Sequence, residues 1–293
     1  MTNADPSNLP DATDAPDAPS PPAHTVIVSD VHLNVARDGA ERMEAFTRFL
    51  QSWTDAPPER LIILGDLFDF WFEYRHVVFS GYFEVLRAFA DLRDLGVALH
   101  FVCGNHDFWA GRFLSDALAF EIHRDPVTLA FGARRALLVH GDGVNPRDVS
   151  YRLYKRIARS RWVIRCFRAI HPDWAMRIAQ GVSRGSRRAF SPDNPADGPE
   201  IAPQRAFAAK CLQDGQADIV MCGHSHYPVH EWIETMWGPR LYLNTGDWVA
   251  HRSYAVWDGA EFRLEQFGSA PIDEREVAGE ETGDVSEQDP QDD

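Results

Sequence analysis

The chain has 293 residues, of which 44% are hydrophobic and 25% charged, and carries a formal net charge of −15. This is ordinary globular composition, with enough apolar residues for a sizeable core in one large α/β domain or two small ones. No stretch approaches ~20 uninterrupted apolar residues, which argues against a membrane-spanning helix.

The charge is uneven. Residues 1–23 are rich in Pro, Ala and Asp and hold Asp5, Asp11, Asp14 and Asp17 with no Lys or Arg. Residues 273–293 hold ten acids against Arg275, which leaves a net charge of only −2 for residues 24–272. Neither end has the apolar residues to offset the entropy of ordering, so 1–23 and 271–293 read as disordered acidic tails around a folded body, 24–270.

Within that body apolar bursts recur, each ending in a polar cluster. In chain order, Thr25–Val28 precedes Ser29-Asp30-Val31-His32, Leu61–Leu64 precedes Gly65-Asp66, and Val97–Cys103 precedes Gly104-Asn105-His106-Asp107. Ala136–Val139 precedes His140-Gly141-Asp142, Asp218–Cys222 precedes Gly223-His224-Ser225-His226, and Leu241–Leu243 precedes Asn244-Thr245-Gly246-Asp247. Short runs of Val, Ile and Leu that stop at Gly and Asp read as buried strands. Between them, Glu41–Trp53 and Gly81–Leu95 repeat apolar residues at helical spacing. Strands alternating with helices imply an α/β fold with parallel pairing at its centre. From Leu241 to Phe267 strands follow one another without helices, which predicts an antiparallel continuation.

One segment departs from this alternation. From Arg152 to Arg188 there are eleven Lys or Arg and one acid, Asp173, interleaved with residues such as Trp162, Phe167 and Trp174. It reads as a basic helical insertion, 148–203 with its Pro-rich return loop. Its apolar face is expected to pack on the main body. Arg and Lys beside Trp and Phe also suit an anionic membrane surface. Elsewhere the low charge offers no broad basic face, so no nucleic acid partner is expected. The four cysteines match no zinc or redox spacing and read as reduced thiols. The first residues have no basic and apolar signal regions, so the expected location is cytoplasmic.

The polar clusters share a position, the carboxyl end of a predicted strand, where open α/β sheets bind ligands. They could therefore converge, bringing together Asp30, His32, Asp66, Asn105, His140, His224 and His226. Oxygen and imidazole donors without thiolate suit Mn²⁺, Fe or Zn²⁺ rather than Ca²⁺. Asp30 and His32, like His224 and His226, are two residues apart and would point the same way along an extended segment. Asp66, on a tight turn, could use both oxygens to bridge two cations. Two such ions clamp a phosphoryl group and acidify a water between them. The histidines outside the clusters, among them His100, His123 and His171, read as structural, with His171 opening a helix before Pro172.

SDVHL, GDLFD, GNHD, HGD and GHSH, in this order, resemble the motifs of the calcineurin-like metallophosphoesterases. One such peptide is weak; all five in order, from Asp30 to His226, are specific. The resemblance implies an αββα sandwich, two facing mixed β-sheets flanked by helices. It implies Asp30, His32 and His226 on a first divalent metal, Asn105, His140 and His224 on a second, and Asp66 bridging, with Mn²⁺ the first expectation. It implies that His106 faces the substrate and that Asp69, last of the GDLFD motif, orients His106 by a hydrogen bond.

A closer resemblance is to the UDP-2,3-diacylglucosamine diphosphatases of lipid A synthesis, carried by GDLFDFWFEYR, GNHDFW, HGDGVN and HPDWAMRIAQGVSRGSR. It implies cleavage of the pyrophosphate of a UDP-linked diacyl sugar to UMP and the acyl sugar phosphate. The insertion would then be a lid over acyl chains, peripheral to the inner membrane, with Arg152, Arg156, Arg184, Arg187 and Arg188 touching phosphate or lipid. The best-characterised branch has Arg, in G-N-R-D, where this chain has His106. That departure leaves the metal chemistry intact and keeps open a phosphodiesterase or phosphatase acting on nucleotides or other phosphoesters. A non-catalytic scaffold is the remaining reading.

Overall fold

A computed structural model describes residues 24–35, 39–145, 155–158, 160–178 and 200–268. The tails expected at 1–23 and 271–293 lie outside these residues, as do Arg152, Arg184, Arg187 and Arg188.

The strands are β1 (Thr25–Val28), β2 (Arg60–Leu64), β3 (Ala98–Val102), β4 (Glu121–His123), β5 (Val127–Phe131), β6 (Arg134–Leu138), β7 (Ile219–Cys222), β8 (Pro228–Thr235), β9 (Gly238–Thr245), β10 (Ser253–Trp257) and β11 (Phe262–Gln266). The helices are α1 (Ala40–Ser52), α2 (Phe83–Asp94), α3 (Arg112–Leu118), α4 (Arg161–Arg168) and α5 (Ile201–Gln213). One six-stranded sheet runs β11-β10-β1-β2-β3-β4 and one five-stranded sheet runs β5-β6-β7-β9-β8. Parallel pairing joins β1 to β2, β2 to β3, β6 to β7 and β7 to β9. The predicted antiparallel continuation is β10 and β11, which extend the first sheet beyond β1.

The strands read as continuous apolar runs because both faces of each sheet are covered. Successive side chains point to opposite faces. Val26, Val28, Leu61 and Ile63 therefore pack outward under α1, α2 and α3 with Phe46, Phe49 and Phe89. Ile27, Ile62, Leu64 and Val102 point inward and meet Ile219, Met221, Leu241 and Leu243 of the second sheet. Val220, Cys222 and Tyr242 point to the far side, against Ala208 and Leu212 of α5. The result is four layers, helix, sheet, sheet and helix, with the parallel strands of both sheets ending at one rim.

Phe49 is the most connected ring of the outer core. Its centroid lies 4.9 Å from those of Trp248 and Tyr254, 5.5 Å from Phe267 and 5.7 Å from Phe46. Trp248 follows directly on Asp247, so this core anchors the last strand-end loop. Phe49→Ala should destabilise the fold by ~3–5 kcal/mol, the usual cost of an aromatic truncation in a closed core; chemical denaturation would measure it.

Candidate metal centre

Six loops leave the parallel strand ends and are tied to one another by main-chain bonds. Asp30 donates its N–H to Gly65 O at 3.0 Å, His32 to Asp66 O at 2.9 Å, and Gly223 to His140 O at 2.9 Å. The His224 N–H donates to Asp30 Oδ2 at 2.7 Å, and the His106 N–H to Asp66 Oδ1 at 2.9 Å. All seven candidate ligands meet at this rim.

The backbone there is not extended, contrary to the reading of Asp30-Val31-His32 and His224-Ser225-His226 as strand continuations. Asp30 and His32 both have φ 51°, Asp66 53°, His224 65° and His226 63°. Non-glycine residues in this left-handed region cost ~1–2 kcal/mol each. The side chains of each pair converge because both residues turn the same way off a strand that has already ended. Gly104 and Gly223 serve by having no side chain. A Cβ at Gly104 would meet Asp66 Oδ1 at 2.1 Å, and one at Gly223 would meet Asp30 Oδ2 at 2.5 Å.

The donor atoms face one another. His32 Nε2 and His226 Nε2 are 3.1 Å apart. His32 Nδ1 lies 3.1 Å from Asp69 Oδ1, and His226 Nδ1 lies 3.2 Å from Asp247 Oδ2. A carboxylate beside each Nδ1 favours a hydrogen there, and a neutral ring so protonated would turn a bare Nε2 toward its neighbour. Only a cation or an added proton relieves that arrangement. Asp30 Oδ1 stands beside them, 3.5 Å from His226 Nε2 and 3.8 Å from His32 Nε2, fully buried and without a hydrogen-bond partner. Across the cleft His140 Nδ1 donates to Leu64 O at 2.9 Å, which aims its Nε2 at Asn105 Oδ1, 3.1 Å away, and at Asp66 Oδ2, 3.4 Å away. His224 packs edge-on to His140, with ring centroids 5.2 Å apart. Asp66 Oδ2 lies between the two groups, 3.9 Å from His32 Nε2. Buried acceptors aimed at acceptors are a poor arrangement for a polar core and a good one for two cations sharing a carboxylate.

Titration in the metal-free site follows the same geometry. Burial alone would lower the His140 pKa, but the Asp66 and Asp30 carboxylates outweigh it and hold His140 well above the ordinary histidine value. His226 is likewise raised, against burial, by Asp247 and Asp30. Burial and the neighbouring His140 bring His224 down to about 4. For Asp66, burial is overcome by His140 and His106, which pull its carboxyl well below the usual range.

His106 and Asp69 meet differently from expectation. His106 Nδ1 donates to the main-chain carbonyl of Asp69 at 2.9 Å, while the Asp69 carboxylate faces His32. Asp69 thus orients two imidazoles, one through its backbone and one through its side chain. The His106 ring is partly exposed, with Nε2 3.9 Å from Asp66 Oδ2. Arg156 is described and exposed, and no contact brings it to this rim.

Several supporting residues were not picked out from sequence. Asp107 accepts from Leu67 N at 2.7 Å and Gly104 N at 2.9 Å, pinning the GDLFD turn to the GNHD turn. Burial and Asp66 push its carboxyl up to about 7. Asn244 donates to Gly223 O at 2.9 Å, Ser225 Oγ at 3.0 Å and Gln204 Oε1 at 3.1 Å, bracing the GHSH turn. Asp107 and Asn244 were within reach, since each belongs to a strand-end polar cluster; Gln204 carries no local signal. Away from the rim, His100, Glu121 and His123 also gather ligand-type atoms. The two rings there lie nearly parallel, at 9°, with Nδ1 and Nε2 3.2 Å apart, and make an imidazole–imidazole hydrogen bond.

Beside the rim lies a cavity of about 980 Å³. Phe72, Tyr74, Phe79, Phe108, Trp109 and Ile164 supply much of its wall, and none of the seven candidate ligands lines it. Phe167 of α4 packs on Phe72 and Trp109, with centroids 4.9 Å away in both cases.

Residues 23–228 match the family model of the calcineurin-like phosphoesterases. A UDP-2,3-diacylglucosamine hydrolase from Porphyromonas gingivalis is 32% identical over 255 residues, covering 81% of this chain and 95% of that protein. Proteins of the same name from Neisseria gonorrhoeae and Aeromonas salmonicida are 32% and 30% identical, covering 80% and 83% of this chain and 95% and 92% of their own lengths.

Metal uptake must displace protons from His140 and His226, whose pKa values are raised in the metal-free protein. Affinity should therefore increase with pH through the range where they titrate, and binding should release protons. Calorimetric titration with Mn²⁺ in two buffers of different ionisation enthalpy reads this directly. Identical heats in both would contradict it.

Proposed function

Because the chain belongs to the calcineurin-like phosphoesterase family of metal-dependent hydrolases, we propose that it cleaves the pyrophosphate of UDP-2,3-diacylglucosamine to UMP and 2,3-diacylglucosamine 1-phosphate, in lipid A synthesis. The observation that carries this reading is the cleft of mutually facing polar atoms set beside a cavity whose wall joins aromatic rings to basic side chains such as Arg75, Arg112 and Arg168. One feature suits a phosphoanhydride and the other an acyl chain. The names and coverage of the relatives support the same substrate.

In this reading Asp30, His32 and His226 hold one divalent ion and Asn105, His140 and His224 the other, with Asp66 between them and Mn²⁺ the ion expected in the cell. Bound there, the pair would neutralise phosphoryl oxygens and supply an acidified water as nucleophile. The chain's own residues do the rest. Asp69 and Asp247 fix the tautomers of His32 and His226 so that each Nε2 is the ligand atom. His106 is fixed in the same way by the Asp69 carbonyl, which keeps a proton on Nδ1 and leaves Nε2 for the substrate. As an imidazolium it would donate its Nε2 proton to the departing phosphate oxygen, and the neutral ring left behind would regain a proton from solvent.

The insertion acts as a lid whose outer side rests on the membrane. Trp162 is 75% exposed and Trp174 61%, among Arg156, Arg165, Arg168 and Arg177. The Arg165 and Arg177 guanidinium groups lie over these two rings, at 5.9 and 5.6 Å. Exposed Trp flanked by Arg fits the interface of an anionic bilayer. Sedimentation with vesicles containing an anionic phospholipid should capture the protein, and Trp162→Glu with Trp174→Glu should release it. Equal capture of the variant would rule out this surface.

A product assay tests the substrate. Protein with Mn²⁺ should release UMP from UDP-2,3-diacylglucosamine in preference to UDP-sugars without acyl chains and to a plain nucleotide phosphodiester. His106→Ala should lower turnover by about 10²–10⁴-fold, the range for loss of a general acid. Equal turnover of all three substrates would withdraw the lipid substrate and leave a phosphodiesterase of wider range.

A further inference from the structure

We propose that Lys155 is a positioning residue that fastens the insertion to the metal-centre rim through Asp142 and so sets preference for an acylated substrate. This rests on the substrate reading above and deepens it. Among the described residues, 155–158 and 160–178 of the insertion make polar contacts to three different strand-end loops. Tyr74 Oη, beyond β2, donates to Ile170 O at 3.1 Å. Trp109 Nε1, beyond β3, donates to Ala158 O at 3.2 Å. The Lys155 ammonium, on the first described helical turn, donates to Asp142 Oδ2, beyond β6.

The three contacts differ in kind. Two end on main-chain carbonyls of the insertion, which any residue at those positions would supply. The third is an ion pair between side chains, and it specifies a particular residue. Its carboxylate is buried, with 4% side-chain exposure, while the lysine side chain is 27% exposed. Asp142 sits two residues past the candidate ligand His140. Asp142 also faces His140 and His224, so the pair ties Lys155 into the polar network of the rim rather than to an isolated charge. The ion pair couples the HGD loop to the turn at 155–158, which precedes α4, the helix that carries Phe167 onto Phe72 and Trp109 at the cavity wall.

A group that places the lid acts on a substrate that needs the lid. Lys155→Met, which keeps the length of the side chain and removes its charge, should raise KM for the diacyl substrate at least tenfold with little change in kcat. It should leave hydrolysis of bis-p-nitrophenyl phosphate within about twofold. Lys155→Arg should restore most of the diacyl KM. Hydrogen exchange without substrate gives an independent arm. Amides of residues 160–178 should exchange faster in Lys155→Met, and those of the two sheets should not. Faster exchange with no working diacyl substrate in the parent protein would retain the fastening and reject the substrate. Unchanged exchange in 160–178, or equal loss on both substrates, would overturn the assignment of Lys155.

Discussion

The constraint on which the rest depends is the crowding of like polarity around Asp66. Its Oδ2, Asp30 Oδ1, Asn105 Oδ1 and the Nε2 atoms of His32, His140 and His226 look into one cleft, with successive contacts of 3.1–3.9 Å. With neutral imidazoles these acceptors outnumber the hydrogens that face them. Protonation relieves part of it, which is why His140 and His226 are raised in the metal-free protein. The strain also lies in the main chain, where five of the seven candidate ligands take left-handed backbone. At ~1–2 kcal/mol each, that cost is comparable to the net stability of a typical domain, ~5–15 kcal/mol. The surrounding fold must therefore over-determine these five residues.

It does so from two directions. Below the cleft, buried strands hold the loop bases at fixed spacing, with both faces of the central strands β1, β2, β3, β7 and β9 packed. Around it, a ring of polar residues pins loop to loop. Asp107 joins the turns after β2 and β3, Asn244 with Gln204 braces the turn after β7, and Asp247 holds His226 and the Ala250 and His251 amides. These residues touch no substrate, yet they decide where the ligand atoms point. Asp69 has this role twice over, and that explains a carboxylate so close to the chemistry that faces His32 rather than His106.

Much of this was legible in the sequence because the centre is built from local motifs at strand ends. The central parallel strands β1, β2, β3, β6 and β7 read correctly to within two residues, since burial leaves runs rich in Val, Ile and Leu, while β9 begins three residues before its apolar run. The edges did not. β4 has only three residues, with Glu121 exposed, and β5 is half exposed, so neither shows an apolar run. β8 begins at Pro228 and carries His230, Glu231 and Glu234; it lies at the sheet edge, where proline is tolerated. The candidate ligands were visible in the sequence, but their backbone was not. Extended geometry was the natural reading of two residues spaced i and i+2, and the left-handed turns follow only from packing between the two sheets. His171 was read as a helix entry, and its carbonyl accepts from Trp174 N and Ala175 N, both at 3.0 Å. The braces Asn244 and Gln204 act across 40 residues, beyond any local pattern.

The most direct test of the central claim is the anomalous difference map of crystals soaked in Mn²⁺. The account predicts two peaks about 3.5–4 Å apart, one among Asp30, His32 and His226, the other among Asn105, His140 and His224, with Asp66 reaching both. A single peak, or two that leave Asp66 without contact to one of them, would contradict it.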